Sequence, residues 1–224
     1  MSMVCHVPRP EPKLREQAYE AFTHRLLQSD IKPGQFITQR ELVALTGQPL
    51  GAIRELIPRL EAEGLIVTVP RRGLQVLSLD ISLIRNAFQF RLILEREAVT
   101  SFCQTASDTR IGEIKAAHQA IIASAKEGVT DAIVAKAQQV DRAFHESIID
   151  DLNNEIISKA YRVNWIKVRL IRQNETSMDE DLVVPVMREH LRIIAALEAR
   201  DVAAAAEAAA AHIMNARARA LRLG

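Results

Sequence analysis

Cysteine is scarce in this 224-residue chain: only Cys5, near the N-terminus, and Cys103 occur. Two cysteines so placed give no disulfide framework and read as free thiols. Long apolar runs are missing as well. No stretch reaches the roughly 18 uninterrupted apolar residues of a membrane span, and Met1-Ser2-Met3-Val4-Cys5-His6 lacks the basic-then-apolar layout of a secretion signal. The expected location is therefore cytoplasmic, with no membrane partner. Catalytic signatures are absent too. There is no His-Glu-x-x-His, no Glu-x-x-His pair of the di-iron type, no glycine-rich nucleotide loop and no nucleophile motif. These gaps argue against an enzyme. Nor does one sign of charge dominate: the net charge is +1, with nine basic against seven acidic residues in 12–77 and nineteen against twenty in 78–224. Any nucleic-acid reading must rest on where particular arginines fall, because bulk charge does not supply it.

What is present is the balance of a globular protein, 48% hydrophobic and 25% charged, at a length that suits two domains. Residues 1–12, with Pro8, Pro10 and Pro12, read as a flexible tail. From Lys13 to Ser29 the apolar residues Leu14, Ala18, Phe22 and Leu26 recur on one helical face, and Lys32-Pro33-Gly34 ends the pattern. Thr38-x-x-Glu41 is a capping box opening a short helix to about Leu45. Gly47 supplies a turn, and a third helix carries Ile53, Leu56, Ile57 and Leu60 inward before Gly64 stops it. Pro58 lies inside that helix, where the missing N–H and the ring clash predict a kink or break. Leu65–Val69 and Leu74–Leu77 then read as two strands around the basic turn Pro70-Arg71-Arg72-Gly73.

Three short helices followed by a basic-tipped hairpin make a winged helix-turn-helix, whose third helix can enter the major groove while the wing reaches backbone or minor groove. The expected organisation is thus mainly α. A winged helix-turn-helix occupies 13–77, a linker 78–80, and an all-α antiparallel bundle 81–224. The bundle follows from six helical stretches, broken near Ser107-Asp108, Gly128-Val129-Thr130, Asp151-Leu152-Asn153, 176–181 and Arg200-Asp201. The run from Ala203 to Ala211 reads as a packed helix, since alanine favours helix and permits close approach.

The residues Pro33-Gly34, Arg40-Glu41-Leu42, Ile53-Arg54-Glu55, Arg59 through Ile66 and Arg72 through Val76 resemble the DNA-binding domain of the GntR family of bacterial regulators. The resemblance implies operator contacts by Arg40 and Arg54 and a wing tip at Gly73. The wider candidate interface comprises Thr38, Gln39, Arg40, Gln48, Leu50, Arg54, Arg71, Arg72 and Gly73. Where members usually open the recognition helix with Ser-Arg-Thr-Pro, this chain has Pro49-Leu50-Gly51-Ala52. The capping hydroxyl and one DNA-binding arginine are thereby missing, which leaves an unusual operator or weak binding open. A helix-turn-helix reading two half-sites of a pseudo-palindrome also predicts a homodimer on double-stranded DNA.

In the second half, Asp141 and His145 stand one helical turn apart on one face. If the last loop centres on Arg200-Asp201, His190 and His212 lie at matching heights on its two flanking helices. Three imidazoles and a carboxylate would then meet inside the bundle, a set suited to a divalent ion such as Zn, Ni, Mn or Fe, or else a group of core hydrogen-bonding histidines. This half resembles the C-terminal domain of the FadR subfamily, on Arg91-x-x-x-Glu95, Asp141-x-x-Phe144-His145, Asn154, Glu189-His190, Ala196-Leu197, Asp201 and His212. That resemblance implies metal held by Asp141, His145, His190 and His212, with Arg91 binding the carboxylate of a small organic acid effector. Arg91 could equally be a surface residue or a structural partner of Glu95. The expected function is a transcriptional regulator, in the first instance a repressor, whose operator affinity follows the effector. The alternatives are a regulator for which the ion itself is the signal, or a helical metal-dependent enzyme.

Overall fold

The computed structural model describes residues 14–175 and 180–221, so the tail expected at 1–12 lies outside the described residues, as does most of the break at 176–181. The chain forms two compact units, one ending at Ser78 and the other starting at Leu79. The first contains α1 (Leu14–Leu27), β1 (Phe36–Ile37), α2 (Gln39–Thr46), α3 (Leu50–Ala62), β2 (Ile66–Val69) and β3 (Gly73–Val76). The second contains α4 (Ile81–Thr105), α5 (Asp108–Ser124), a 3₁₀ turn at Ala125–Glu127, α6 (Asp131–Asp150), α7 (Glu155–Glu175), α8 (Glu180–Glu198) and α9 (Val202–Leu221). The fold class is as the sequence indicates: mainly α, with a winged helix-turn-helix and a helical bundle.

In the first unit the apolar stripe Ala18, Phe22 and Leu26 meets Leu42 of α2 and Ile53, Leu56 and Leu60 of α3, all fully enclosed. Burial of side chains of this size stabilises by about 1.5–3 kcal/mol each, enough to hold three short helices together. The Thr38 hydroxyl accepts from the Glu41 N–H, and the Glu41 carboxylate accepts from the Thr38 N–H, so both halves of the capping box form. At the end of α3, Gly64 has φ +65°, its N–H reaches Glu61 O, and Leu65 N–H reaches Leu60 O. This is a Schellman closure, which the left-handed glycine makes possible.

Two details differ from expectation. Of the kink or break expected at Pro58, the break does not occur: α3 continues to Ala62, with buried Leu56 and Leu60 on either side anchoring it to the core. The sheet also has a third strand, β1, pairing antiparallel with β3 through Phe36↔Gln75 and Ile37↔Leu74. Two residues are too short to show strand alternation, so nothing in the local sequence marked them. This strand explains the wing glycine. Gly73 has φ +98°, and a Cβ there would stand 3.1 Å from the Ile37 carbonyl oxygen.

In the second unit α4 packs along α9, and α8 lies against both α5 and α9. Buried Ala205, Ala206 and Ala209 give α9 the slim face that such packing needs. One apolar cluster includes Phe102, Phe144, Tyr161, Trp165, Ile193 and Leu197. Beside it lies an unusual collection of enclosed polar groups: Arg91, Glu95, His118, Asp141, His145, His190 and His212, none more than 5% exposed. Burying these without partners would cost several kcal/mol each, so their mutual arrangement decides what the unit does.

Candidate functional site

Asp141 and His145 project from α6, His190 from α8 and His212 from α9. One nitrogen each of His145, His190 and His212 falls within a set whose members all lie within 4.8 Å of one another. His190 Nε2 is 3.3 Å from His212 Nε2. Asp141 Oδ1 borders the set, 3.7 Å from His190 Nε2 and 3.9 Å from His145 Nε2. The level placement inferred from the α8–α9 loop therefore occurs, with Asp201 capping α9 by accepting from the Ala204 N–H.

The outer partners fix the protons on two of these rings. His145 Nδ1 is 2.8 Å from Glu95 Oε2, and a carboxylate only accepts, so Nδ1 carries the proton. Its Nε2 faces Arg91 Nη2 at 3.3 Å; a guanidinium only donates, so that nitrogen offers a lone pair. His212 Nδ1 likewise donates to Glu189 Oε2 at 2.8 Å. Burial pushes the His212 pKa down to about 4, against the opposing pull of Glu189, so the ring is neutral near pH 7 and its Nε2 is bare. Burial, reinforced by His212 and His145, also holds His190 well below the usual imidazole range. Behind His190, His118 Nε2 lies 3.1 Å from His190 Nδ1.

The carboxylates remain ionised. Burial alone would raise the Asp141 pKa, but Arg172 brings it below the ordinary value, its Nη1 binding Oδ2 at 3.0 Å. Burial would raise Glu95 too, yet Arg91 and His145 hold it far below. Tyr161 donates its hydroxyl to Glu95 Oε1 at 2.8 Å. The bare Nε2 atoms of His145 and His212, Nε2 of His190 and a carboxylate oxygen are thus gathered around one point. This is the chemistry of a cation site.

Arg91 is enclosed, as an effector-binding residue should be, but its Nε and Nη2 both engage the Glu95 carboxylate. The structural pairing with Glu95 is therefore realised. A small cavity of about 20 Å³ adjoins the cluster, lined by Arg91, Asp141, Arg172, His212 and Arg219 together with Leu182, Val186 and Ala216. Glu189, His118, Arg172 and Arg219 were not assigned roles from sequence, because each meets its site partner across helices and no local spacing marks it.

In the first unit Arg40, Leu50, Arg54, Arg71 and Arg72 are exposed, and Gln39, Gln48 and Gly73 partly so. Arg54 Nε meets Gln39 Oε1 at 3.5 Å, bringing α2 and the recognition helix α3 side by side. Thr38 is exposed but its hydroxyl is taken up in the capping box. Pro49 caps α3 without a side-chain hydrogen bond, as the absence of the usual serine implies. In the wing, Arg71 has φ +64°, and the Arg72 guanidinium sits 3.9 Å over the Phe36 ring.

Among the described residues no helix is long and apolar enough to cross a membrane. The chain is 26% identical over 141 residues to the Nta operon transcriptional regulator of Aminobacter aminovorans, spanning 63% of this chain and 65% of that protein's length. It is 22% identical over 196 residues to the HTH-type transcriptional regulator YdhC of Bacillus subtilis, covering 88% and 86% of the two chains. Its fold is similar to that of E. coli McbR/YncC, with a TM-score of 0.76, 17% identity and 94% and 98% of the two chains covered. It is also similar to the metal-free FCD domain of TM0439, with a TM-score of 0.54, 22% identity and 65% and 96% covered. Residues 14–76 match the bacterial regulatory proteins of the gntR family and residues 86–215 match the FCD domain, so the chain belongs to the GntR family of transcriptional regulators with a C-terminal FCD domain.

Proposed function

We propose that this regulator binds a pseudo-palindromic operator as a homodimer, and that a small carboxylate bound beside a divalent ion in the FCD domain controls its affinity for DNA. The observation that carries the reading is the convergence of His145, His190 and His212 with Asp141 Oδ1 at their edge, the rings of His145 and His212 being anchored by carboxylates. His145, His190, His212 and Asp141 would hold the ion. Three neutral imidazoles and one carboxylate leave a divalent ion with surplus positive charge and coordination positions for an anion.

The charges that line the adjoining cavity favour an organic acid, which would enter by displacing side chains from a space with room for about one water. Arg91, Arg172 and Arg219 line it, and each already faces a carboxylate of the protein: Glu95, Asp141 and Glu189 respectively. Three cations balanced by three anions make a neutral frame, to which the ion would add its own charge. A guanidinium fork suits a carboxylate. Arg172 is a stronger candidate for that role than Arg91 or Arg219, because it meets Asp141 through one nitrogen whereas Arg91 and Arg219 each commit two, to Glu95 and Glu189.

The test is elemental analysis of purified protein, followed by thermal-shift screening of carboxylic acids on metal-loaded and chelated samples. The expected result is acid-dependent stabilisation of the loaded protein only, abolished in His190→Ala, together with altered operator affinity. A best acid that binds chelated protein equally well, or leaves operator affinity unchanged, would refute the sensing mechanism. A metal effect on DNA binding without any acid would favour the ion as signal. Ultracentrifugation finding a monomer at micromolar concentration would refute the dimer.

A further inference from the structure

We infer that His118, anchored by the carbonyl of Ile114, selects the neutral tautomer of His190 that leaves its Nε2 open to a cation. The inference rests on the metal-site reading above and assigns His118 as a positioning residue behind the ligand shell.

His190 is wholly enclosed and its two nitrogens face two other histidines. A neutral imidazole has one N–H to give, so His190 donates either from Nδ1 to His118 or from Nε2 to His212. The second choice would put a proton where a metal must bind. His212 invites it, because its Nε2 is a bare acceptor 3.3 Å away.

The opposite face of His118 decides between them. Its Nδ1 lies 2.7 Å from the Ile114 carbonyl oxygen, one turn earlier on α5. Of the four assignments of the two protons, His118 on Nε2 with His190 on Nδ1 sets two N–H groups face to face and drops out; each of the other three leaves one of these contacts with lone pairs face to face. With the proton of His118 on Nε2, the clash falls at the carbonyl, at 2.7 Å. With His118 protonated on Nδ1 and His190 on Nε2, it falls between the two rings, at 3.1 Å. With both protonated on Nδ1, it falls between His190 and His212, at 3.3 Å. The last has the widest separation, and it gathers the remaining lone pairs, with Asp141 Oδ1 3.7 Å from His190 Nε2, at the point a cation would occupy. It is also the only one that a cation turns into two bonds.

The chain Ile114 O, His118, His190 therefore presets the third ligand, as Glu95 and Glu189 preset the other two. Outer partners of this kind typically govern metal affinity by roughly 10- to 100-fold. His118 does so as a neutral acceptor, packed edge-on against Phe144 with ring centroids 5.1 Å apart.

The experiment uses the full chain with ¹⁵N-labelled histidine and Co²⁺ as probe. Long-range ¹H–¹⁵N spectra of the metal-free protein should show His190 protonated at Nδ1. In His118→Phe, which keeps the ring volume and removes the acceptor, the proton should move to Nε2 and Co²⁺ affinity should fall roughly 10- to 100-fold. His118→Gln, whose side-chain oxygen can accept, should restore most of it. A His190 proton on Nε2 in the metal-free wild type would overturn the inference, and that measurement does not depend on any variant folding. Equal Co²⁺ affinity in wild type and a folded His118→Phe would overturn it while leaving the metal site standing. Nδ1 protonation in a wild type that binds no Co²⁺ would instead uphold the tautomer and refute the metal reading.

Discussion

Glu189 accepts the Nδ1–H of His212 at 2.8 Å while Arg219 approaches both oxygens of the same carboxylate, at 3.0 and 3.3 Å. The carboxylate is thereby locked in place and kept ionised, with burial opposed by His212 and Arg219 so that its pKa falls to about 2. An anion on Nδ1–H raises the basicity of the opposite nitrogen. Glu189→Gln keeps an acceptor and removes the charge, and should weaken metal binding by about tenfold or more. Competition titration against a chromophoric chelator measures this. Unchanged affinity would mean that packing alone orients His212.

Acid should destabilise the metal-free protein through its buried histidines. His212 has a folded pKa of about 4 against an unfolded value of 6.5, and burial lowers His190 and His118 in the same direction. Between those values the unfolded chain binds the extra proton, so stability is full above about pH 6.5 and declines as pH falls towards 4. For His212 alone the decline is on the order of 3 kcal/mol. Urea midpoints of chelated protein at pH 7.5 and pH 5 should differ accordingly, and His212→Phe should flatten the difference. A pH-independent midpoint over that range would contradict neutral burial of these rings.

Trp165 offers a direct optical readout. It is the only tryptophan of the chain, its ring centroid lies 5.7 Å from that of His145, and it is buried. A paramagnetic ion held by His145 would sit close enough to quench it. Co²⁺ or Ni²⁺ should therefore reduce the intrinsic fluorescence saturably, with reversal by chelator, whereas Zn²⁺ should quench little. His145→Ala should abolish the saturable component. Quenching that persists there would place the ion elsewhere.

The helices and their order were legible because each carries a periodic apolar face and a punctuated end, as at Thr38 and Gly64. Asp141 and His145 were legible by helical spacing, and His190 and His212 by their equal distance from the Arg200-Asp201 turn. His118 was not. Its approach to His190 depends on how α5 lies against α8, a tertiary fact with no trace in spacing along either helix. Glu189 shares that limitation, since its partners His212 and Arg219 both come from α9. β1 and the uninterrupted helix through Pro58 show the complementary point. A weak local preference yields when long-range pairing or packing on both sides outweighs it.

The two arginine groups of the first unit should behave differently on DNA. Arg54 lies on the exposed side of α3, near the N-terminal end that a recognition helix turns towards base edges, and its one side-chain partner among the described residues is Gln39, at long range. Arg54→Ala should cost about 1–3 kcal/mol on the preferred operator and much less on a scrambled duplex, because a bidentate pairing with a base is what sequence change removes. Arg71 and Arg72 stand at a wing tip whose backbone is fixed by Gly73 and whose Arg72 is steadied on Phe36. Such a tip suits phosphates. Replacing both with alanine should weaken operator and scrambled duplex alike and reduce the slope of log affinity against log salt by roughly 0.9 for each phosphate no longer neutralised. Fluorescence anisotropy on both duplexes at three salt concentrations separates the cases. If Arg54→Ala weakens the two duplexes equally, Arg54 binds backbone; if the wing variant discriminates between them, the wing reads sequence, which would compensate for the arginine missing from Pro49-Leu50-Gly51-Ala52.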